Sequence, residues 1–326
     1  MSDTRDAVDL VQSIDAKRTD RRKLLAKAGL IGAAAVGASL LGNRRQTTAL
    51  ATDVALFKNS NGVGFRVNAY DILNFALNLE YLEAEFYLRA TTGSGLPDSM
   101  TGGVGSTGAV TGGAQVTFSN PIVQAYANEI AEDEKNHVAF LRDVLGARAV
   151  ARPAIDFTAA FNAAASVAGI ATSFDPFSND GNFLIGSFTF EDVGVTAYHG
   201  ASTYIANDTV LSAAAGILAV EAYHAGIVRS TIYSLGINMP APELIAAADL
   251  ISNLREKASD AAGQPIPTDE GVTVNPNSTP NIVPTDENSV AFSRTFSQVL
   301  NIVYLNTTAK PQPGGFFPNG LNGRIN

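Results

Sequence analysis

Two stretches of the chain each carry a glutamate followed three residues later by a histidine. Glu221 and His224 lie in the apolar segment Ile217–Arg229, and Glu134 and His137 repeat the spacing upstream. Residues three apart on a helix share a face, so each pair points a carboxylate and an imidazole the same way. In some four-helix bundles, two helices of this kind and two further helices with one inward glutamate each hold two metal ions in the interior. The spacing therefore predicts a dinuclear carboxylate site.

The composition limits the ligands that such a site can use. The 326 residues include three histidines and no cysteine. The lack of cysteine excludes disulfides, iron–sulfur clusters and thiolate zinc sites, which leaves carboxylate, imidazole and backbone ligands. Oxygen ligands with one nitrogen per metal suit iron or manganese better than copper or zinc. We therefore expect two iron or manganese ions as the cofactor.

A site for two divalent ions needs two more carboxylates beside the Glu-x-x-His pairs. The first long helical segment offers Glu80 or Glu83, and the third offers Glu191. Glu221 is the most constrained candidate, because its segment is otherwise almost entirely apolar. A buried unpaired carboxylate is costly, so a metal partner explains its position.

Several nearby polar residues have a structural interpretation beside a functional one. Glu134 could belong to a solvated acidic face, since Glu132 and Asp133 adjoin it. We expect Glu85 to be a surface charge.

His199 follows Glu191 by eight residues, and a hydrogen-bonded position in the core or beside the ligands is favoured over metal ligation. Three tyrosines are either core aromatics or hydrogen-bond donors near the site: Tyr87, Tyr198 and Tyr223.

Hydrophobic periodicity predicts an all-α fold built on four long helices. Asn120 and Gly146 are expected to bound the second helix, and Asp208 and Gly236 the fourth. A glycine-rich loop at 93–113 follows the first helix. A long crossover at 147–182 separates helices two and three and carries a short helical pattern, Phe157–Val167. The four predicted helices are Asp71–Ala90, Pro121–Leu145, Phe183–Ile205 and Thr209–Leu235.

The pattern of the last ninety residues predicts an extension that follows the four-helix bundle. A fifth helical pattern covers Pro240–Ser259, an irregular segment covers 261–288, and a last helix covers Ser289–Tyr304 before an irregular tail. We expect three parts: a signal peptide at 1–51, the bundle at 52–236, and the extension at 237–326, packed on the bundle.

The N-terminal region resembles a twin-arginine export signal. Arg21 and Arg22 precede two leucines, and the Gly/Ala-rich run Ala28–Leu41 is too short for a stable membrane span. Ala49–Ala51 offers a cleavage site of small residues. An uncleaved membrane anchor is the alternative, because two further arginines follow the apolar run. We expect a periplasmic or extracellular protein with no stable membrane span after processing.

These motifs resemble the ferritin-like superfamily, in particular the branch that includes plant and bacterial desiccation-related proteins. The resemblance covers residues 67–235. Glu80 precedes Tyr87 by seven residues, as in the first helix of bacterioferritin, which favours Glu80 over Glu83 as the ligand. The two Glu-x-x-His pairs match the paired motifs, and Glu191 matches the single glutamate of the third helix. The resemblance thus implies six metal ligands: Glu80, Glu134, His137, Glu191, Glu221 and His224.

Three functions are compatible with such a site. The first is an oxidoreductase that acts on peroxide or dioxygen. The second is a non-catalytic stress or envelope protein, favoured by the polar C-terminal extension. The third is a storage ferritin, which the long loop, the crossover inserts and the export signal disfavour. The formal net charge of −9 and the lack of a basic tract argue against nucleic acid as a partner. A homo-oligomer is compatible with the sequence.

Overall fold

Seven α-helices dominate the part of the chain that the structure describes. This structure, a computed structural model, describes residues 55–58, 64–238, 242–263, 269–274 and 279–326. The expected all-α fold is confirmed. The helices are α1 (Ala69–Thr92), α2 (Pro121–Leu145), α3 (Phe157–Ala168), α4 (Asp180–Ser202), α5 (Asp208–Asn238), α6 (Pro242–Ala261) and α7 (Phe296–Val303).

The four long helices form two packed pairs. Helix α1 packs along α2, α4 packs along α5, and the pairs meet through α1 with α4 and α2 with α5. The crossover between α2 and α4 is held down by aromatic packing. Phe86 of α1 contacts Phe157 and Phe161 of α3 at ring-centroid distances of 5.9 and 5.8 Å. This arrangement directs one face of each long helix to a common interior.

Local side chains explain where the first two bundle helices begin and end. Asn68 and Asp71 form a reciprocal capping box at the start of α1, and Gly93 closes it in a left-handed conformation at φ 76°. Asn120 caps α2 with Pro121 at the first position. The bounds predicted for α2 are therefore confirmed.

Three short two-stranded pairings tie the connections together. Strand β3, in the glycine-rich loop, pairs with β4, in the crossover, so the two long connections are fastened to each other at one end of the bundle. The strands are β1 (Ala55–Lys58) antiparallel to β2 (Gly64–Val67), β3 (Val110–Thr111) parallel to β4 (Ile155–Asp156), and β5 (Thr273–Val274) antiparallel to β6 (Thr279–Pro280).

A buried network of charges joins the C-terminal extension to the bundle. Asp192 of α4 accepts from Arg229 of α5 at 2.7 Å and from Arg255 of α6 at 2.8 Å. Asp269 accepts from Arg255 at 2.7 Å and from Arg294 at 2.5 Å. All three arginines are almost completely buried. The extension therefore binds α4 and α5 through charged groups as well as through apolar packing.

Glu85 is not the surface charge that the sequence predicted. Its side chain is fully buried, pairs with Arg152 of the crossover, and accepts from Arg89 at 3.0 Å. It also accepts from the backbone N–H of Leu96 at 3.3 Å. The prediction was wrong because the loop after α1 and the crossover cover this face of the helix.

Other helix boundaries shift by a few residues. Helix α4 begins at Asp180, because the side chain of Asn179 caps it by accepting from the N–H of Asn182. The predicted cap of α5 at Asp208 was wrong. The side chain of Asn207 accepts from the N–H groups of Thr209 and Val210 instead.

The ends of α5 and α7 also differ from the prediction. Gly236 lies inside α5, which continues to Asn238. The last helix begins at Phe296 rather than at Ser289, because Thr295 and Gln298 form the capping box that starts it. Residues 284–294 instead run as irregular chain.

The predicted signal peptide, including Arg21 and Arg22, lies outside the described residues. Within the described part of the chain, α5 is long and apolar enough to cross a membrane. Core helices of bundles pass the same test. The inner face of α5 carries the buried side chains of Glu221, His224 and Arg229, which it presents to the other helices.

Candidate metal centre

Seven side chains that could bind metal converge between the four long helices. All are nearly or completely buried, with none more than 8% exposed. Helices α1 and α4 supply only carboxylates, and α2 and α5 each supply one Glu-x-x-His pair. The seven are Glu80 and Glu83 of α1, Glu134 and His137 of α2, Glu191 of α4, and Glu221 and His224 of α5.

Six of these side chains form two overlapping sets of possible metal ligands. In each set, one ligand atom from every member lies within 4.8 Å of the others. The first set combines Glu80 and His137 with Glu134 and Glu221, and the second combines Glu191 and His224 with the same Glu134 and Glu221. Each set thus has one glutamate and one imidazole of its own, and the two carboxylates from the Glu-x-x-His pairs belong to both.

The imidazoles present the same ring nitrogen to the carboxylates. Nδ1 of His137 lies 3.2 Å from Glu80 Oε2, 3.4 Å from Glu134 Oε2 and 3.6 Å from Glu221 Oε1. Nδ1 of His224 lies 2.9 Å from Glu134 Oε1. The ring centroids are 6.3 Å apart. The two histidines therefore flank the shared carboxylates.

Two tyrosines hold the outer glutamates by hydrogen bonds that cross between helices. Tyr87 of α1 donates to Glu191 of α4, and Tyr198 of α4 donates to Glu80 of α1. Each tyrosine follows the glutamate of its own helix by seven residues. The repeat of this spacing in α4 is visible in the sequence and strengthens the assignment of Glu191.

Asp133 is a further contributor that the sequence analysis treated only as a neighbouring charge. Its Oδ2 lies 3.3 Å from Nε2 of His224, the ring nitrogen that faces away from the carboxylates. A carboxylate at this position orients the ring and leaves Nδ1 free to act as a ligand.

The buried charges strongly perturb one another. Burial raises the pKa of Glu80 to about 7 and, together with the charge of Glu134, raises that of Glu221 well above its usual range. Burial alone would lower the pKa of His137, but Glu80 and Glu134 outweigh it and raise the pKa to about 12. Without metal, protonated imidazoles and protonated carboxyl groups must therefore balance the site.

The orphaned polar atoms fit a pair of cations. Both carboxylate oxygens of Glu134 and of Glu221, Oε2 of Glu191 and Nδ1 of His224 are buried without a hydrogen bond of normal geometry, although Nδ1 of His224 lies 2.9 Å from Glu134 Oε1. Buried polar atoms are rarely left unsatisfied, and each of these is an atom that iron or manganese accepts as a ligand. The donor set therefore fits divalent metal ions, which Glu134 and Glu221, as members of both sets, would help to hold.

Comparison with known proteins agrees with this geometry. The family model of the ferritin-like domain matches residues 68–234, which include all four long helices almost completely. The chain belongs to the ferritin-like domain family. In a comparison with solved structures, none matches this chain.

Two curated proteins are similar to this ferritin-like chain over most of its length. The ferritin-like catalase Nec2 of Nesocodon mauritianus is 28% identical over 265 residues, covering 78% of this chain and 84% of the relative. The desiccation-related protein PCC13-62 of Craterostigma plantagineum is 29% identical over 266 residues, covering 78% of this chain and 82% of the relative. The expected resemblance to the desiccation-related branch is thereby confirmed.

Two residues considered near the ferritin-like centre lie elsewhere. Nδ1 of His199 lies 3.0 Å from the carbonyl oxygen of Phe292, so this histidine bonds the C-terminal extension instead of a metal ligand. Tyr223 adjoins His224 in sequence but is 72% exposed, because it points to the outer face of α5. Neither residue belongs to either ligand set.

Glu83 is buried at the centre together with Glu80, although of the two only Glu80 belongs to a ligand set. Burial and the charges of Glu134 and Glu191 raise the pKa of Glu83 well above its usual range. Gly194 of α4 makes room for it: a Cβ at Gly194 would lie 3.4 Å from Glu83 Oε1 and would overlap with the Glu221 carboxylate. A side chain at this position would therefore force the Glu221 carboxylate to move.

We predict that Gly194→Ala disturbs the centre more than the fold. The added methyl group displaces the Glu221 carboxylate, and metal affinity should fall roughly 10- to 100-fold, as for other changes that move a ligand. The matched control is Gly216→Ala on α5, where a Cβ meets nothing within 4 Å. Mn(II) titration against a competing chelator measures the affinity. Equal affinities in the two variants would contradict the packing assigned to Gly194.

Proposed function

We propose that this ferritin-like protein binds two iron or manganese ions and uses them to consume hydrogen peroxide or dioxygen. The observation that carries the proposal is the sharing of Glu134 and Glu221 between two ligand sets that each contain one imidazole. Shared carboxylates hold two ions close together and neutralise their charge. One relative is named a ferritin-like catalase, and this similarity supports peroxide as the substrate.

When bound, the ions supply the electron-transfer chemistry that amino-acid side chains lack. The chain supplies the geometry. Tyr87 and Tyr198 fix the outer glutamates, and Asp133 fixes the orientation of His224. Burial of the ligands and of both tyrosines excludes bulk water, which keeps the charged ligands in place for the ions.

A peroxide-disproportionation assay tests the proposal. Two molecules of hydrogen peroxide give two of water and one of dioxygen, so an oxygen electrode follows the reaction directly. The protein is loaded separately with Mn(II) and Fe(II), and its metal content is measured by elemental analysis. We expect two ions per chain and oxygen release that disappears in Glu134→Gln. The proposal would be contradicted if the fully metal-loaded protein neither consumed peroxide nor took up dioxygen.

A non-catalytic protective role is the second candidate. It is favoured by the similarity to a desiccation-related protein and by the extension, whose buried charges tie it to the bundle. In that case metal would stabilise the bundle, and the loaded protein would leave peroxide unchanged.

We further propose that the protein is exported, as the paired arginines indicate. Changing Arg21 and Arg22 to lysine should retain the precursor inside the cell, since twin-arginine signals depend on this pair. Changing Arg44 and Arg45 to lysine is the matched control, because that pair follows the apolar run. Cell fractionation measures the outcome, and unchanged export of the first variant would refute this signal.

A further inference from the structure

A small cavity lies beside the metal centre, between α1, α4 and the C-terminal extension. Its volume is about 20 Å³. A cavity needs on the order of 10–15 Å³ to hold one water molecule, so this one has room for a single small molecule. Its walls include Leu79 and Leu82 of α1 and Val193 of α4.

The walls of the cavity are almost entirely apolar. Apart from Glu83, the polar side chain in the lining is Thr189, and its hydroxyl already donates to the carbonyl oxygen of Ile185 at 2.9 Å. Apolar cavities favour small neutral molecules over ions, because an ion would lose its hydration without replacement. The carboxyl group of Glu83 can form one hydrogen bond in this otherwise apolar cavity. The cavity therefore suits a neutral molecule of two heavy atoms.

The inner wall of the cavity is also the wall of the metal centre. Gly194 and Glu83 both line it. Because Gly194 has no side chain, the carboxylate of Glu221 occupies the place where its Cβ would stand. Gly194 therefore adjoins both the cavity and a carboxylate that belongs to both ligand sets.

The outer wall of the cavity is supplied by the C-terminal extension. Ile302 and Val303 of α7 and Phe316 of the tail complete the lining, and all three are at most 4% exposed. The bundle alone would leave this side of α1 and α4 open. The extension thus encloses a space next to the metal centre.

We propose that this cavity holds the small neutral oxidant, dioxygen or hydrogen peroxide, beside the metal centre, with Glu83 as its polar contact. The inference rests on the proposed function. It adds that the oxidant reaches the metal centre from the side between α1, α4 and α7, and not from the side between α2 and α5, where the histidines lie.

Filling the cavity tests this assignment. Val193→Ile adds a methyl group from α4, and Val303→Ile adds one from α7, so a folding defect in one variant does not remove the test. Val123→Ile on α2, also buried, is the matched control because it does not line the cavity. The probe is nitric oxide, a diatomic molecule that binds Fe(II) without turnover. Stopped-flow absorbance gives its association rate, and elemental analysis confirms equal iron content.

We expect each cavity-filling variant to bind nitric oxide roughly tenfold more slowly than wild type, since overpacking raises the cost of admitting a molecule. The control should match wild type. Equal rates in wild type and both filling variants would overturn the inference, as would failure of nitric oxide to reach iron in the wild type. If nitric oxide binding behaves as expected while peroxide and dioxygen are not consumed, the proposed function fails, and the cavity admits small neutral molecules that are not substrates.

Discussion

Replacing Glu221 with glutamine should abolish the stabilisation of the fold by metal and leave the metal-free protein at least as stable as the wild type. Glu221 belongs to both ligand sets, so its loss removes a ligand from both ions. Ions that bind only the folded state stabilise it by roughly 2.7 kcal/mol each at a hundredfold excess over Kd. For two ions in a chain of this size, that corresponds to roughly 8–10 °C in the midpoint.

The metal-free comparison follows from the burial of Glu221. Both its carboxylate oxygens are buried without a hydrogen bond, and burial together with neighbouring glutamates raises its pKa well above the usual range. A glutamine has the same shape and no charge, and its amide can donate to the nearby carboxylates. Replacing one of several buried, neighbouring glutamates therefore removes part of the free-energy cost of burying them together, a cost that bound metal would offset.

Thermal unfolding with and without Mn(II) measures both effects. Glu132→Gln is the control, because Glu132 is an exposed residue on the same helix as Glu134. The control should show the full wild-type increase in midpoint with metal. An equal increase in Glu221→Gln would show that Glu221 is not a ligand.

The centre was predictable because its ligands repeat a spacing that helices impose. The Glu-x-x-His pairs fall on single helix faces, and apolar surroundings made the burial of Glu221 predictable from local sequence alone. The bounds of α2 were also predictable from local sequence. Asn120 and Pro121 start the helix and Gly146 ends it, and each acts on the residues next to it.

The remaining features depend on contacts between distant parts of the chain. Glu85 is buried because Arg152, sixty-seven residues away, reaches it from the crossover. The role of Asp133 depends on the rotation of α5, which brings His224 against it. No spacing within one helix carries that information. The burial of Glu83 was missed for a different reason. The resemblance to bacterioferritin favoured Glu80 over Glu83, but the structure buries both side chains.

The C-terminal extension was predicted to pack on the bundle, but nothing local indicated how it is held. Arg255, Asp269 and Arg294 are ordinary charged residues in the sequence, and Asp269 lies in a segment expected to be irregular. Their pairing is visible only once α6 and α7 lie against α4. Burial of three arginines with two aspartates makes this network the most demanding polar feature outside the metal centre among the described residues.

Asp269→Asn should accordingly cost about 3–5 kcal/mol of the free energy of unfolding, the usual result when one partner of a buried ion pair is removed. Asp269 accepts from Arg255, Arg294 and the hydroxyl of Ser252. Without its charge, Arg294 loses its carboxylate partner, and Arg255 keeps only Asp192, which also pairs with Arg229. Urea unfolding measures the loss, with Asp260→Asn as the control because Asp260 is exposed on α6.

The pH dependence of this difference identifies its cause. Burial alone would raise the pKa of Asp269, but Arg255 and Arg294 outweigh it and hold the pKa below its ordinary value. A carboxylate with a lowered pKa stabilises the fold above its unfolded pKa and stops doing so as the pH falls through its folded pKa. The gap between wild type and Asp269→Asn should therefore be constant from neutral pH down to about pH 5 and close only in stronger acid. A gap that already closes near neutral pH would mean that Asp269 is protonated in the folded protein and that the arginines are balanced by other groups.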